Sequence, residues 1–160
     1  MLTSIPFLRS FSVTKIDTWC LFCEDVRIEH DYRCTLVGVT PSVAVSTEPL
    51  KMRQLCLVFS CEFPITLDAV ELQHDIAVVG SVSELSERFK SGTHRFERPE
   101  AVANEKSWQV ITYLVQDRIE FEGNASITAR IWGEGFEDHA SITVVEVTES
   151  EGLSSDNFLT

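Results

Sequence analysis

Apolar and polar residues alternate with a period of two along much of this chain, and that pattern limits its fold more than any other feature. In residues 125–132, Ile127, Ala129 and Ile131 fall on one side of an extended backbone, while the residues between them are polar. A strand of this kind must bury its apolar side against a second layer. The sequence therefore predicts an all-β domain, built as an antiparallel β-sandwich.

Turn-forming residues divide the pattern into strands. Glycines and acidic residues at 133–138 separate two strands at the C-terminal end, and His30 with Asp31 separates two strands near the start. Residues 51–63 form a further predicted strand, which ends before Pro64 because proline cannot donate to a central ladder. The predicted hairpins are 18–29 with 32–39, 66–73 with 76–82 around His74 and Asp75, and 125–132 with 141–147.

The middle of the chain has a mixed pattern. Ser81 and Glu84 have the spacing of a helix capping box, and apolar residues follow at helical intervals as far as Phe89. One short helix is predicted here, although a strand that continues through Val82 fits the same residues. Strand character returns at residues 107–115.

The length of 160 residues suits a single domain with a substantial core. The predicted organisation is a β-sandwich at residues 17–147, preceded by an N-terminal arm or first strand at residues 1–16. A flexible acidic tail is expected at residues 148–160.

The chain is strongly acidic, with 25 acidic residues against 13 basic residues and a formal net charge of −12. Such a chain repels the phosphates of nucleic acids and anionic membrane surfaces. No apolar run reaches the ~18 residues that span a bilayer, and the first residues lack the pattern of a secretory signal. The expected location is the cytoplasm, without direct binding to nucleic acid or membrane.

Five cysteines, an odd number, indicate reduced thiols. Cys20 and Cys23 form a Cys-x-x-Cys pattern, but side chains three positions apart on a strand point to opposite faces and cannot bind one metal ion together. Glu24, Asp25 and Arg27 could form an ion-pair cluster or a divalent-cation site. A structural role is favoured, in which Arg27 or backbone groups satisfy one inward charge and the other charge lies in solvent. The sequence therefore predicts no metal and no other cofactor.

Three histidines have an aspartate beside them, which raises a small metal-dependent hydrolase as an alternative. The pairs are His30 with Asp31, His74 with Asp75, and Asp138 with His139. Hydrolysis would also need a positioned nucleophile, and the chain contains no Gly-x-Ser-x-Gly motif. The chain is therefore predicted not to be an enzyme.

Two segments resemble an uncharacterised domain family of bacteria and phages. Residues 22–29 (FCEDVRIE) with residues 35–39 (TLVGV) are similar to the opening strands of that family, and residues 119–127 (IEFEGNASI) to its last turn and strand. The resemblance implies an immunoglobulin-like β-sandwich over about residues 17–147. It implies no catalytic residue, because the family has no established activity.

The leading functional hypothesis is a non-enzymatic protein-binding or accessory module, which binds another protein or a second copy of itself through a strand edge. An alternative that follows from the net charge is an acidic decoy or inhibitor of a nucleic-acid-binding protein. The predicted partner-binding residues lie on the acidic C-terminal hairpin: Glu134, Phe136, Glu137 and Asp138.

Overall fold

Eight β-strands make up most of the computed structural model, which describes residues 16–29, 33–102 and 105–147. One turn of α-helix, α1, spans Glu87–Lys90, and a 3₁₀ turn spans Glu100–Val102. The prediction of an all-β chain is confirmed. The strands are β1 (Asp17–Ile28), β2 (Cys34–Val39), β3 (Val43–Ser46), β4 (Leu50–Pro64), β5 (Ala69–Val82), β6 (Ser91–Glu97), β7 (Ser107–Gly133) and β8 (Phe136–Glu146).

All of these strands belong to one hydrogen-bonded sheet in the order β2-β1-β4-β7-β5-β6, with β8 paired to both β7 and β3. The pairings are antiparallel except that of β3 with β8, which is parallel and corrects the expectation of a wholly antiparallel arrangement. The immunoglobulin-like topology stays a prediction, since the strands form one continuous sheet.

The long strand β7 lets this single sheet form two layers. Its residues 107–121 pair with β4, and its residues 121–133 pair with β5 on one side, while residues 125–133 pair with β8 on the other. The sheet curls so that β1, β2, β4 and the first part of β7 form a first layer, which faces a second layer of the remaining strands. The main core between them draws buried residues from β1, β4, β5, β7 and β8.

The two layers join at a break in the alternation of β7. Inward-facing residues have even numbers from Trp108 to Gln116 and odd numbers from Ile119 onward. Between these parts lies Arg118, whose φ of 52° is in the left-handed region. On β4 the inward-facing residues likewise change from even to odd numbers between Met52 and Leu55. Each strand therefore has two consecutive outward-facing residues at this point, where regular alternation would give one.

Two of the predicted hairpins are present. β1 pairs with β2, although the predicted turn at residues 30–32 lies outside the described residues. β7 pairs with β8 around a turn of only Glu134 and Gly135, where Gly135 has a φ of 81° that favours glycine. Phe136 therefore starts β8 and does not belong to the turn. The predicted arm and tail also lie outside the described residues, apart from Ile16.

The predicted hairpin of residues 66–73 and 76–82 is wrong. Those residues form one strand, β5, which passes straight through His74 and Asp75. His74 pairs with Gly92 of β6 on one side and with Ile131 of β7 on the other. Backbone partners on both sides outweigh the local preference of His and Asp for a turn.

The predicted helix is shorter and later than its capping-box pattern suggests. Ser81 and Val82 are paired with Glu122 and Phe121 in the sheet, so their backbone groups cannot start a helix. The helical turn α1 begins after Ser86 and buries Phe89 against the core. The chain here follows the alternative of a strand that continues through Val82.

Candidate binding face

Strand β4 is buried on both of its sides, although only one side faces the second layer. Every residue from Leu55 to Cys61 is buried. The odd-numbered residues enter the main core, whereas Cys56 and Val58 belong to a second, smaller cluster with Cys23. The first layer is therefore apolar on its outer side as well.

The strand register arranges this outer side in three rows. Each row crosses β1, β4 and β7, and the middle row contains Leu21, Val58 and Tyr113. The row on one side contains Trp19, Ser60 and Ile111, and the row on the other side contains Cys23, Cys56 and Val115. We call these nine residues the outer apolar face.

Large side chains of the outer apolar face are open to solvent. Trp19 is 41% exposed, Ile111 45%, Tyr113 40% and Val115 40%. The floor beneath them is closed, since Val58, Cys23 and Cys56 have no exposed surface, and Val26 and Leu36 of the β1–β2 hairpin pack beside them. The hydroxyl of Ser60 accepts a hydrogen bond of 2.8 Å from the Gln109 amide, so the polar group within the rows is satisfied.

Both ends of the outer apolar face carry charged residues, and the end with Arg53 and Arg118 also carries exposed Asp117. At one end Asp17 pairs in register with Glu62, and both residues are exposed. At the other end, Arg53 and Arg118 are the outward residues added where the alternation breaks, and both are exposed. No acidic partner of Arg53 or Arg118 lies within 4.0 Å in the described part of the chain, although Asp117 adjoins Arg118 in sequence.

Other cations near this end have partners. The Lys51 ammonium lies 2.9 Å from a Glu120 carboxylate oxygen, and Arg27 Nε lies 3.1 Å from Asp25 Oδ2. The second pair joins two members of the Glu24, Asp25 and Arg27 cluster, and both side chains are exposed, so the charge of Asp25 is not buried inward as expected. These three residues also line a cleft of about 720 Å³, whose rim carries both signs of charge. Within the described ranges, no group of three or more metal-binding side chains occurs.

The acidic hairpin predicted as the partner-binding site is only partly open. Glu134 is exposed in the turn, whereas the Phe136 ring is half-buried and packs edge-on against Phe63 with ring centroids 5.7 Å apart. Phe136 is therefore committed to the core, and the remaining predicted residues present carboxylates.

Glu137 is already paired within its own hairpin. It accepts hydrogen bonds of 3.0 and 2.8 Å from Arg130, and His139 Nε2 lies 2.9 Å from it. The Arg130 guanidinium lowers the pKa of this carboxyl. Asp138 accepts a hydrogen bond of 2.7 Å from the backbone N–H of His139. The structure thus brings these carboxylates together on one hairpin but gives two of them partners of their own.

The cysteines are buried to different sides, as the strand argument requires. Cys20 packs against the main core, whereas Cys23 lies in the smaller cluster beside Cys56. Burial raises the pKa of Cys20, Cys23 and Cys61 to about 12. These thiols are therefore protonated near neutral pH, which disfavours both nucleophilic attack and metal binding.

The histidine–aspartate neighbours do not converge among the described residues. His74 is buried and its Nδ1 lies 3.2 Å from His94 Nε2, whereas Asp75 is exposed on the opposite side of β5. His139 lies on β8, where its side chain pairs with that of Glu137 on the same strand. These residues therefore do not assemble a histidine–aspartate pair of side chains that would support the hydrolase alternative.

The outer apolar face was missed by the sequence analysis. The available signal was the run Leu55–Phe59, in which five apolar residues follow one another without the alternation of a half-buried strand. Such a run indicates burial on both sides, but it does not reveal which neighbours complete the outer side.

Comparisons with known proteins assign no family to this chain. No family model matches it, and no curated protein is significantly similar to it. No helix within the described residues has the length and apolar character needed to cross a membrane.

Proposed function

We propose that this chain is a non-enzymatic protein-binding module whose binding surface is the outer apolar face. One observation carries the proposal: exposed Trp19, Ile111 and Tyr113 stand on a closed apolar floor, in a protein with a net charge of −12. Contiguous apolar patches on soluble proteins are often interaction sites.

The composition of the face suits a binding role. Tryptophan and tyrosine contribute strongly to protein interfaces because they bury a large area at a small cost in side-chain entropy. Here they stand on β1 and β7, the two neighbours of the fully buried part of β4. A surface fixed in this way needs little reordering when a partner binds.

The non-enzymatic part of the proposal rests on the state of the reactive groups. The raised pKa values of the buried thiols keep them protonated, and the His74 ring has almost no exposed surface. The Cys23 and Cys61 thiols and the His74 ring are therefore not presented to a substrate, and the exposed His139 ring is paired with Glu137.

The proposal can be tested by capture on the immobilised full chain. We expect wild-type protein to retain at least one protein from a cell lysate. Tyr113→Asp should lose at least about tenfold of that retention, because a carboxylate must then be desolvated in the interface. Val79→Asp is the matched control, since Val79 is 69% exposed on the second layer. The readout is quantitative mass spectrometry of bound proteins, with circular dichroism to verify folding.

Equal retention by Tyr113→Asp and Val79→Asp would contradict the proposal, because binding would then not depend on the face. The proposal would also be contradicted if the wild-type chain retained no protein beyond what the bare matrix retains.

A further inference from the structure

We infer that residues 148–160, the acidic tail, bind as an additional strand in a fork of this chain's own first layer. The fork is the cleft of about 720 Å³ that lies between β1 and β4. This inference concerns a surface other than the outer apolar face, so it neither rests on the proposed function nor falls with it.

The fork forms because two paired strands separate before either of them ends. β1 and β4 pair only as far as Cys23 with Cys56, which we call the apex of the fork. Beyond the apex, β1 continues to Ile28 paired with β2, and β4 extends back to Leu50 paired with β7. Each strand therefore has an edge inside the fork that pairs with no described strand, and unpaired edges of this kind accept further strands.

The contact at the apex shows where the ladder stops. Cys56 Sγ lies 3.9 Å from the carbonyl oxygen of Glu24, where a continued ladder would supply a backbone donor. A thiol is only a weak donor. From Leu55 to the open end at Leu50, the mouth of the fork, the depth is five residue steps of ~3.3 Å, or roughly 17 Å. Five or six extended residues fit this depth.

The fork has an apolar floor that belongs to the second layer. Its lining includes Ala44 of β3 and Ile142 of β8, together with Leu50 and Met52 of β4. Ile142 is buried, and Leu50 and Met52 pack against the main core. A strand added here would therefore continue the first layer and cover apolar surface beneath it.

The described chain ends beside the mouth of the fork. The Val147 N–H donates a hydrogen bond of 2.9 Å to the carbonyl oxygen of Ser46. Only residues 47–49 separate Ser46 from Leu50, where β4 starts. Residues 148–153 in extended form span about 20 Å, enough to pass from the mouth to the apex. A strand in that direction is antiparallel to β1 and parallel to β4.

Charge favours the acidic tail as the occupant. The tail contains three acidic residues and no Lys or Arg. Arg53 lines the fork and has no acidic partner within 4.0 Å in the described part of the chain. Glu149 and Glu151 are two positions apart, so in a strand both lie on one side and can approach the same guanidinium.

The carboxylates that line the fork are directed elsewhere. Asp25 is paired with Arg27. The Glu24 carboxyl carbon lies where a Cβ on Gly38 would be only 2.8 Å away, so this group rests over β2 and not beside β4. The β4 side of the fork, where Arg53 lies, is therefore the side to which the tail's carboxylates bind.

Hydrogen exchange of the full chain, measured for single amides by NMR, tests whether the fork is occupied. The comparison is with a chain whose residues 148–160 are replaced by Gly-Ser repeats of the same length. About every second amide of residues 24–28 and 50–54 points into the fork, and these amides should exchange at least about tenfold faster in the replaced chain. The outer edge of β6 is the internal control and should exchange equally in both chains.

A charge exchange within the full chain tests the contact with Arg53. Arg53→Glu should speed exchange of the fork amides at least about threefold, because Glu149 and Glu151 then meet a carboxylate. Adding Glu149→Arg and Glu151→Arg should restore protection to within about twofold of wild type, which also shows that the first variant is folded. Arg88→Glu, on the exposed side of α1, is the matched control and should leave the fork amides unchanged.

Equal exchange of the fork amides in wild type and in the replaced chain would overturn the inference and leave the fork to a strand from another protein. A triple variant that stays unprotected would overturn it as well. Protection that is lost on dilution from about 200 to 5 µM would assign the fork to the tail of a second copy and overturn the binding within one chain.

Discussion

His74 is a buried imidazole with an incomplete set of hydrogen bonds. Its ring is 1% exposed and stacks on His94 with centroids 5.2 Å apart, while its Nε2 atom has no hydrogen-bond partner among the residues that the structure describes. Gly92 is required beside it, because a Cβ there would lie 2.8 Å from His74 Cε1. The site therefore accommodates the ring closely but does not solvate its charged form.

This environment predicts a loss of stability at mildly acidic pH. Burial, and next the neighbouring His94, lower the pKa of His74 below its ordinary value near 6.5, although the backbone at Arg88 and Phe89 acts in the opposite direction. Above that ordinary value both folded and unfolded chains hold a neutral ring. As pH falls below it, the unfolded chain takes up a proton that the folded chain still excludes. The free energy of unfolding should therefore fall, by at most about 1.4 kcal/mol per pH unit for one proton.

Urea unfolding between pH 7.5 and about 5 would measure this slope. His74→Gln should flatten it, because the amide does not titrate, whereas the exposed-histidine control His139→Gln should keep most of it. A slope that is unchanged in His74→Gln would assign the pH dependence to other groups.

At the scale of elements, the passage of β7 from one layer to the other requires an irregular pairing with β5. The register shifts between Val79 and Ser81, and Gly80 within the shift has a φ of 85°. A Cβ at Gly80 would lie 2.4 Å from the carbonyl oxygen of Asn124. Backbone contact and a left-handed φ together exclude a side chain here.

Gly80→Ala is therefore expected to lower the free energy of unfolding by about 2–4 kcal/mol, since it adds both conformational strain and a backbone clash. Gly135→Ala is the matched control. Its φ of 81° is similar, but the nearest atom to a new Cβ is Ile16 Cδ1 at 3.9 Å, so only the strain of about 1 kcal/mol should appear. Chemical denaturation of both variants measures the difference. Equal losses would show that close packing at Gly80 does not matter.

At the scale of the whole molecule, negative charge opposes the compact state. The 25 acidic residues exceed the 13 basic residues by 12, whereas ion pairs such as Arg130 with Glu137 are exposed and contribute little. Repulsion among the excess carboxylates is long-range and is screened by salt.

Raising NaCl from about 0.02 to 0.3 M at pH 7 should therefore raise the Tm by about 2–4 °C, because screening relieves more repulsion than attraction. Dilute protein, near 2 µM, keeps self-association out of the measurement. Choline chloride at equal ionic strength should act like NaCl if screening is the cause. A Tm that falls with salt would mean that exposed ion pairs dominate.

The sequence by itself determined the features that depend on local chemistry. Period-two alternation predicted an all-β chain, turn residues located the β1–β2 and β7–β8 hairpins, and strand geometry placed Cys20 and Cys23 on opposite sides. Each of these follows from neighbouring residues alone, because alternation and turn conformation are short-range properties.

Only the tertiary structure decided how the strands continue and which surface remains open. His74 and Asp75 lie within a strand because β6 and β7 pair on either side, and the two predicted strands 107–115 and 125–132 are joined in one β7 of 27 residues. Trp19 and Tyr113, which are far apart in sequence, share the outer apolar face because both β1 and β7 pair with β4. Such pairings are made between distant segments, so no local pattern specifies them.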